Sequence, residues 1–261
     1  MAHPGMIFLM YHELEMAGRG LCQSEPGYVR YILPVETFRS QMKWLQQAGV
    51  RGLNVSQALK YPAGPGVCIT FDDGCETDLI AAAPILRDLN LNATFYLTAG
   101  FLGKPGYLSA EQARELDAAG FEIGCHSMTH AYLSDLDEFG LKREIVEAKQ
   151  RLEEIMGHEI EHFSCPGGRY NARTIAVARS AGFRSVANSE FHENTPATSA
   201  YDLGRVAMLR DLPLGKFGAV CRGQGLWKKR LWHQIRRGLQ KMIGNRMYDR
   251  VRGALLGESP E

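Results

Sequence analysis

The sequence predicts an α/β protein in which parallel strands alternate with helices. Short apolar runs with β-branched and aromatic residues recur between longer segments of helical periodicity, which is typical of a mainly parallel sheet. Glycine follows several helical segments, at Gly49, Gly120 and Gly182, where a left-handed residue commonly ends a helix. The 261 residues, 45% of them hydrophobic, suffice for one large core. Periodicity alone allows an open doubly wound sheet or a closed barrel.

Eight strands and five helices follow from this alternation. Each predicted strand is a short apolar run, and each predicted helix fills a segment between two such runs. The strands are residues 6–11, 52–55, 67–71, 93–98, 121–125, 161–164, 183–186 and 203–208, and the helices are 35–48, 76–89, 109–118, 134–156 and 171–181. Residues 13–33, here called the insertion, are polar and contain glycine. An insertion of this length more often contributes to function than serves only as a connection, and we expect it to form one wall of a cleft.

Composition and charge exclude several classes of protein. The 30 basic and 29 acidic residues nearly balance, so we expect no nucleic-acid partner. No segment approaches the roughly 20 apolar residues that a membrane helix needs. The first residues lack a basic region followed by a long apolar stretch, and the six cysteines show no paired spacing. We therefore expect reduced thiols and a cytoplasmic location.

The motif Thr-Phe-Asp-Asp-Gly at residues 70–74 places two adjacent carboxylates at the end of an apolar strand. Such strand ends carry the chemistry of α/β folds. Two neighbouring negative charges need a cation nearby, and an ion held by one carboxylate would leave the other free as a base. The alternative is that Asp72 and Asp73 only cap the helix that opens near Glu76.

The motif His-Ser-Met-Thr-His at residues 126–130 follows the strand 121–125. If the segment makes a helical turn, His126 and His130 direct both imidazoles at one ion. Together with Asp73 they supply three protein ligands and leave a position open for water, as in catalytic metal sites. The alternative is a pair of hydrogen-bonded histidines in the core or at its rim.

These two motifs, in this order and about fifty residues apart, resemble the polysaccharide deacetylase family, the NodB-homology domain of carbohydrate esterase family four. The resemblance covers residues 65–210 and is weaker at Met10-Tyr11-His12. It implies a distorted (β/α) barrel of the NodB type over residues 1–215. It further implies a divalent metal on Asp73, His126 and His130, with Asp72 as base, and hydrolysis of N-acetyl groups on amino sugars.

The third motif departs from the family pattern. Many members carry an arginine that orients the base where this chain has Ser164, and we expect Arg205 to replace it. The alternative for Arg205 is a strand-edge charge that pairs with any nearby carboxylate. Residues 166–171, Pro-Gly-Gly-Arg-Tyr-Asn, resemble a subgroup that keeps the groove wall. There the resemblance implies an oxyanion donor, the Gly167 N–H, and substrate contacts at Pro166, Gly168 and Tyr170.

The family's late-strand histidine, its general acid, has no counterpart in the last third of the chain. His12 has a suitable context, because it ends an apolar strand, and in circularly permuted relatives that strand lies at the N-terminus. His192 is the second candidate. Zinc is the first expectation for the metal, while cobalt, nickel, manganese or iron would also suit two imidazoles and a carboxylate. The cysteines beside the motifs are expected to pack as small hydrophobic residues.

Residues 216–261 predict a basic amphipathic helical extension. Ten basic residues and one acidic residue lie between 222 and 252, here called the basic arm, and apolar residues recur there at spacings of three and four. The arm would contact an anionic membrane surface from the cytoplasmic side, or pack on the barrel with solvated charges. In the first case a lipid-linked sugar is the expected substrate, and in the second a soluble one.

Three classes of function compete at this point: a sugar amide hydrolase, a saccharide-binding protein and a nucleic-acid binder. The first is a metal-dependent N-deacetylase that acts on an amino sugar, an oligosaccharide or a polysaccharide precursor. The second is a saccharide-binding protein with impaired catalysis, favoured by the missing arginine and late histidine but opposed by the intact aspartates and histidines. A deformylase or another sugar amide hydrolase would use the same residues. A nucleic-acid binder ranks last.

Overall fold

A computed structural model of the chain describes residues 5–60 and 66–225. Within these ranges there are ten strands, eight of which form one sheet. The strands are β1 (Ile7–Tyr11), β2 (Leu14–Glu15), β3 (Leu33–Pro34), β4 (Arg51–Leu53), β5 (Gly66–Phe71), β6 (Thr94–Leu97), β7 (Glu122–Cys125), β8 (His162–Ser164), β9 (Ser185–Ala187) and β10 (Val206–Ala207). Each of the eight predicted strands has a counterpart, apart from differences at their ends.

The large sheet is parallel throughout and curls into a distorted barrel. Its strand order is β10-β1-β5-β6-β7-β8-β9, with β4 beside the first half of β5. The segment before and within β10 joins the two ends, because Leu203 bridges Ala187 of β9 while Val206 pairs with Leu9 of β1. The open-sheet alternative is therefore excluded, and the predicted barrel is confirmed.

Nine α-helices lie within the described ranges. They are α1 (Pro26–Val29), α2 (Val35–Gln47), α3 (Val55–Lys60), α4 (Ala83–Asp88), α5 (Ala110–Ala118), α6 (Glu138–Leu141), α7 (Ala148–Met156), α8 (Ala172–Ser180) and α9 (Leu214–Cys221). A π-helical turn, Asp78–Ala82, leads into α4, and a second one, Lys142–Glu147, joins α6 to α7. The helices predicted at 35–48, 76–89, 109–118 and 171–181 are confirmed to within a few residues.

Two sequence-based boundaries were wrong for local reasons. The predicted helix 134–156 is broken, because Leu136 is extended and the Asp137 carboxylate accepts the Gly140 N–H and starts α6 there. Val55 was assigned to a strand for its branched side chain. It instead begins α3, because the Asn54 side chain accepts the Gln57 N–H at 2.8 Å and acts as a helix cap.

On the side of the sheet that faces the helices, aliphatic and aromatic side chains of neighbouring strands pack together and against α2. Tyr11 stacks on Phe71 and Phe71 stacks on Phe95, with ring centroids 5.2 and 4.9 Å apart. All three are fully buried, so the ends of β1, β5 and β6 are fixed relative to one another. The polar residues that follow these strands are consequently held at fixed positions relative to one another.

The insertion is folded back onto this edge of the barrel. Its ends form the short parallel pair β2 and β3, and α1 lies between them. The polar sequence had indicated a loop without strands. Leu14 and Leu33 are both buried, and their packing stabilises the pairing of β2 with β3.

The expected start of the C-terminal extension, residue 216, falls inside α9. Phe217 of α9 is fully buried, and its ring lies 5.8 Å from that of Trp44 in α2. The described part of the extension, through residue 225, thus packs against the barrel. The rest of the basic arm lies outside the described residues.

Candidate active site

The carboxyl ends of neighbouring strands bring the predicted site residues together. Asp72 and Asp73 follow β5, His126 follows β7, and His12 follows β1. Because Tyr11 pairs with Phe71 across β1 and β5, His12 comes next to Asp72 at the same edge. Parallel strands place all of these exits on one rim, which is where barrels of this kind carry their functional groups.

Asp73, His126 and His130, here called the metal triad, converge on one point. The Asp73 Oδ1 atom lies 3.6 Å from His126 Nε2 and 3.4 Å from His130 Nε2. One potential ligand atom from each residue lies within 4.8 Å of the other two. Asp73 and His126 are buried, whereas His130 is partly exposed and leaves the site open on one side.

The polar atoms of the metal triad fit a cation. Asp73 Oδ1 is buried and has no hydrogen-bond partner among the described residues. His126 Nδ1 lies 2.9 Å from the carbonyl oxygen of Ser164, and donation there leaves Nε2 with its lone pair towards Asp73. Burial lowers the pKa of His126 to about 4, so the imidazole is neutral and able to bind metal near neutral pH. These three residues could therefore hold a divalent ion.

The turn between the two histidines is not the helical turn that the spacing had predicted. Ser127 and His130 have φ values of 67° and 66°, in the left-handed region that non-glycine residues seldom adopt. The Glu144 carboxylate accepts hydrogen bonds from the N–H groups of Met128 and Thr129 and from the Thr129 hydroxyl. These contacts, with the Ser127 hydroxyl accepting the His130 N–H at 3.0 Å, hold the turn in place.

Asp72 forms a bidentate ion pair with Arg205. Two guanidinium nitrogens each lie 2.7 Å from one Asp72 oxygen, and the guanidinium also donates to the Ser164 hydroxyl at 2.7 Å. Arg205 is fully buried, so it is not a strand-edge charge. Burial opposes ionisation of Asp72, but the Arg205 charge outweighs it and holds the carboxyl pKa well below its usual range.

The alternative role of the two aspartates as helix caps is excluded by their positions. Thr77 occupies the N-cap of the first helical turn after them, and no side chain caps it. Asp73 adopts a φ of 82° and is followed by Gly74, whose φ is 80°. This left-handed pair turns the chain sharply, so that Asp72 and Asp73 point to different partners.

His12 lies under the insertion. Its ring centroid is 5.3 Å from that of Tyr31 and 6.1 Å from that of Tyr28, and its Nδ1 atom is buried without a hydrogen-bond partner in the described ranges. Burial lowers the pKa of His12, and the charges of Asp73 and Asp72 partly offset this. The imidazole of His192, the second candidate acid, packs against Gly204. A Cβ added at Gly204 would lie only 2.5 Å from that ring.

The segment after β8 supplies the remaining predicted residues. Pro166 is buried and begins a 3-10 turn, Pro166–Gly168, in which Gly167 has a φ of 59°. A Cβ at Gly167 would lie 3.0 Å from the Tyr132 ring, so glycine is required here for both conformation and space. The Tyr170 hydroxyl donates to Asp202 at 2.6 Å, which holds that side chain on the loop 188–202.

Two residues of the site gave no signal in the sequence. The Tyr28 hydroxyl, on α1 of the insertion, donates to Asp73 Oδ2 and leaves Oδ1 to the histidines. Glu144 lies on a predicted helix with nothing to mark it from other exposed acids. Tyr28 and Glu144 contact residues that are distant in sequence, so no local motif marks them. The only related prediction was that the insertion, which carries Tyr28, forms one wall of a cleft.

Within the described ranges, His162 and most cysteines have structural surroundings. His162 is buried and lies 2.9 Å from the hydroxyls of both Ser56 and Ser185. Burial raises the pKa of the Cys125 thiol to about 12, so it packs as a neutral group. The six cysteines are all free thiols.

With this geometry in place, comparison with known proteins decides the family. Residues 60–186 match the family model described as polysaccharide deacetylase. The chain belongs to the polysaccharide deacetylase family. Both motifs and the segment after β8 lie inside the matched range, whereas His12 and Arg205 lie outside it.

Relatives of this family member extend the match beyond the motifs. YxkH of Bacillus subtilis (strain 168), assigned by name to the polysaccharide deacetylases, is 27% identical over 217 residues, which span 81% of this chain and 74% of YxkH. The peptidoglycan-N-acetylglucosamine deacetylase of Bacillus cereus is 31% identical over 121 residues, 46% of this chain and 54% of that protein. Its likeness is therefore confined to about half of each chain.

Solved structures support the fold of this deacetylase family member. The Streptococcus pyogenes deacetylase PplD, solved in complex with acetate, superposes with a TM-score of 0.71 at 22% identity, covering 82% of this chain and 96% of PplD. At this identity the likeness speaks for the fold alone. Among the described residues, none of the helices has the length and apolar character needed to cross a membrane.

Proposed function

We propose that this chain is a divalent-metal-dependent hydrolase that removes N-acetyl groups from amino sugars within an oligosaccharide or polysaccharide. The observation that carries the proposal is the metal triad, with its unpartnered Asp73 oxygen, placed beside the ion-paired carboxylate of Asp72. A metal held by Asp73, His126 and His130 would lower the pKa of water and polarise the acyl oxygen. Zinc is the first candidate, and cobalt, nickel, manganese and iron suit the same donors.

Asp72 is proposed to accept the proton of the attacking water. Its carboxylate lies 3.8 Å from His126 Nε2, at the edge of the metal triad, and its low pKa keeps it ionised near neutral pH. Arg205 holds both carboxylate oxygens of Asp72, and this sets the direction from which Asp72 accepts a proton. In this role Arg205 is a positioning residue, and it takes the place of the arginine that Ser164 replaces.

His12 and Gly167 are proposed to act on the other atoms of the amide. His12, with its free Nδ1, would donate a proton to the sugar nitrogen as the carbon–nitrogen bond breaks, so that an amine leaves. The Gly167 N–H would donate to the acyl oxygen as it becomes negative. Pro166 and Gly168 shape that turn, and Tyr170 would border the sugar. His12 is preferred over His192 because its neighbours include both aspartates.

The proposed substrate class is a glycan that contains N-acetylglucosamine. One relative is named for that sugar in peptidoglycan, and the partly exposed side of the metal triad gives access to a chain substrate. The sugar linkage and the length accepted depend on the insertion and on the turn at Gly167.

The test compares bound metal with amine release from N-acetylglucosamine oligomers. We expect Asp73→Ala and His126→Ala to lose a metal ion that the wild type holds, and to lose turnover. Asp72→Asn should keep the metal and lose turnover, since only its proton acceptor is removed. His158→Asn, at an exposed histidine on the surface, is the control and should retain both properties.

Each contrary result identifies another function. Full turnover in Asp72→Asn or His126→Ala would reject the assigned roles. Metal and oligosaccharide binding without turnover on any substrate would favour the saccharide-binding protein. Turnover on N-formyl but not N-acetyl sugars would favour a deformylase.

The basic arm extends the proposal to a peripheral membrane contact at the cytoplasmic face and a lipid-linked substrate. Ten basic residues against one acid between 222 and 252 support it. Cosedimentation with anionic vesicles should occur at low salt and fall at high salt. A chain that stays in the supernatant at low salt would reject membrane contact and leave the deacetylase proposal intact.

A further inference from the structure

A second group of potential metal ligands lies behind the metal triad. Glu13 and Cys22 belong to the insertion, and Cys75 follows the Asp-Asp-Gly turn after β5. One ligand atom from each lies within 4.8 Å of the other two. These three residues, here called the cysteine cluster, share no member with the metal triad. Glu13 and Cys75 are buried and Cys22 is partly buried, so the cluster is largely shielded from water.

The contacts of the cysteine cluster leave its ligand atoms with capacity for an ion. Both Glu13 oxygens lie 3.0 Å from the Cys22 N–H and have further lone pairs. The Cys22 thiol donates to the Gly106 carbonyl at 3.1 Å, a weak hydrogen bond that it would give up on binding metal. The cysteine cluster itself contains no basic residue. Burial raises the pKa of Glu13 overall and outweighs the nearby Arg19, which forms a salt bridge with Glu76 and acts to lower that pKa.

Asp78 supplies an independent sign that a cation belongs here. Its side chain is completely buried, and neither carboxylate oxygen has a hydrogen-bond partner within the described part of the chain. A buried carboxyl group without partners carries a large desolvation cost. Burial raises the pKa of Asp78, and the charges of Asp73, Cys22 and Glu13 raise it further, so Asp78 lies near both the metal triad and the cysteine cluster.

The donor set indicates the kind of ion. Two thiolates and a carboxylate are characteristic ligands of zinc, whereas magnesium and calcium select oxygen donors alone. Each thiol that binds zinc releases its proton to solvent, so binding is coupled to proton release. The Asp78 carboxylate would balance part of the charge of such an ion.

We propose that Glu13, Cys22 and Cys75 bind a second divalent ion, zinc, which fastens the insertion to the exit of β5. The ion would act structurally. It would tie the first half of the insertion, from Glu13 to Cys22, to the loop that carries Asp73, and so keep the insertion closed over the metal triad. Two separate ions per chain would then be present, one in each cluster.

Cobalt substitution distinguishes the two sites by spectroscopy. Thiolate ligands give cobalt an intense charge-transfer absorption in the near ultraviolet, which imidazole and carboxylate ligands lack. We expect this band in the cobalt-loaded protein, and we expect two ions per chain by elemental analysis of the zinc form. Cys22→Ser should abolish the band and remove one ion. Cys221→Ser, at a buried cysteine remote from the cluster, is the matched control and should change neither.

Asp73→Ala separates this inference from the proposed function. It should lose the ion of the metal triad and keep the thiolate band, whatever the activity of the chain. One ion per chain and no band in the wild type would overturn the second site. A Cys22–Cys75 disulfide in the native protein, found by mass spectrometry under non-reducing conditions, would also overturn it. If Cys22→Ser were to fold poorly, Glu13→Gln should still lower the affinity for the band-forming cobalt.

Discussion

At the residue scale, burying Arg205 completely costs desolvation free energy that its contacts must offset. Its guanidinium makes five hydrogen bonds, to Asp72 twice and once each to Thr70, Ser164 and Asn188. The small Ser164 side chain leaves room for a guanidinium that arrives from another strand. Arg205 reaches Asp72 from a distant position in the sequence, and the planar fork of its guanidinium, rather than charge alone, sets the orientation of Asp72.

Replacing Arg205 by Met should be severely destabilising, because it leaves Asp72 buried without its partner. We expect a loss of about 3–5 kcal/mol in the free energy of unfolding at pH 7, measured by urea denaturation. The pKa of Asp72 is lowered on folding, so the pair stabilises the fold above the unfolded-state pKa of about 3.9. That contribution is lost as pH falls through the lower folded-state pKa.

The conservative variant Arg205→Lys separates charge from geometry. It keeps a cation but lacks the fork, so we expect stability between those of the wild type and Arg205→Met, with turnover well below that of the wild type. Equal stability of Arg205→Met and wild type at pH 7 would contradict the account of this ion pair.

At the element scale, the turn between the two histidines depends on the π-helical turn Lys142–Glu147 that faces it. Two left-handed non-glycine residues in five positions are unfavourable by themselves. Glu144 offsets this strain with one carboxylate that accepts three hydrogen bonds from the turn. The neighbouring helix thus determines where His126 and His130 point.

We expect Glu144→Gln to weaken metal binding by about 10–100-fold while the fold is kept, because its amide group places a donor against the backbone N–H groups. Isothermal titration of the metal-free protein with zinc measures this. Glu147→Gln, an exposed residue in the same turn, is the control. Unchanged affinity in Glu144→Gln would show that the turn holds its shape without the carboxylate.

A second contact between elements joins α3 to β7. The Glu122 carboxylate accepts the N–H groups of Val55 and Ser56, the first residues of α3, at 3.0 and 3.2 Å. Burial raises the pKa of Glu122, but His162 and hydrogen bonds from the Ser56 and Thr94 side chains outweigh that and lower it overall. A carboxylate at a helix N-terminus also interacts favourably with the helix dipole.

Glu122→Gln should therefore lower stability by about 1–3 kcal/mol at pH 7. Because the folded-state pKa of Glu122 is depressed, its contribution is fully present above the unfolded-state pKa of about 4.3 and is lost as pH falls through the lower folded-state pKa. Denaturation curves at pH 7 and pH 3 should show the two proteins converging in acid. Glu154→Gln, an exposed acid on α7, is expected to change little at either pH.

At the scale of the whole molecule, the barrel is completed by residues late in the chain. Residues 203–207 close the ring between β9 and β1, and α9 covers α2 on the outside. Phe217 lies beyond the boundary expected at residue 215, yet it belongs to the same hydrophobic core as the strands. The barrel therefore needs part of the segment that the charge pattern had assigned to the extension.

Phe217→Ala tests this assignment. We expect a loss of about 3–5 kcal/mol in unfolding free energy, because a fully buried aromatic side chain leaves a cavity. Leu214→Ala, on the exposed side of the same helix, should cost less than about 0.5 kcal/mol. If both variants melt at the wild-type temperature, α9 contributes nothing to the barrel and the boundary at 215 stands.

The strands and the two principal motifs could be predicted because their signals are local. A buried parallel strand is a continuous apolar run, and Asp72, Asp73, His126 and His130 follow such runs directly. The breaks at Leu136 and Asn54 were missed because each depends on a single side chain that hydrogen-bonds a nearby backbone N–H group, and such a bond leaves no periodic pattern in the sequence. Tyr28, Glu144 and the cysteine cluster were missed because their partners are distant in sequence.

The sequence by itself determined the fold class, the family and the order of the residues expected to bind metal, since periodicity and motif spacing are properties of the chain alone. Only the tertiary structure decided that Arg205 pairs with Asp72, that His12 shares a rim with Asp72, and that the insertion supplies Tyr28. Those contacts arise when the barrel closes, because closure brings strands from opposite ends of the chain within hydrogen-bonding distance, and no local pattern records which side chains then meet.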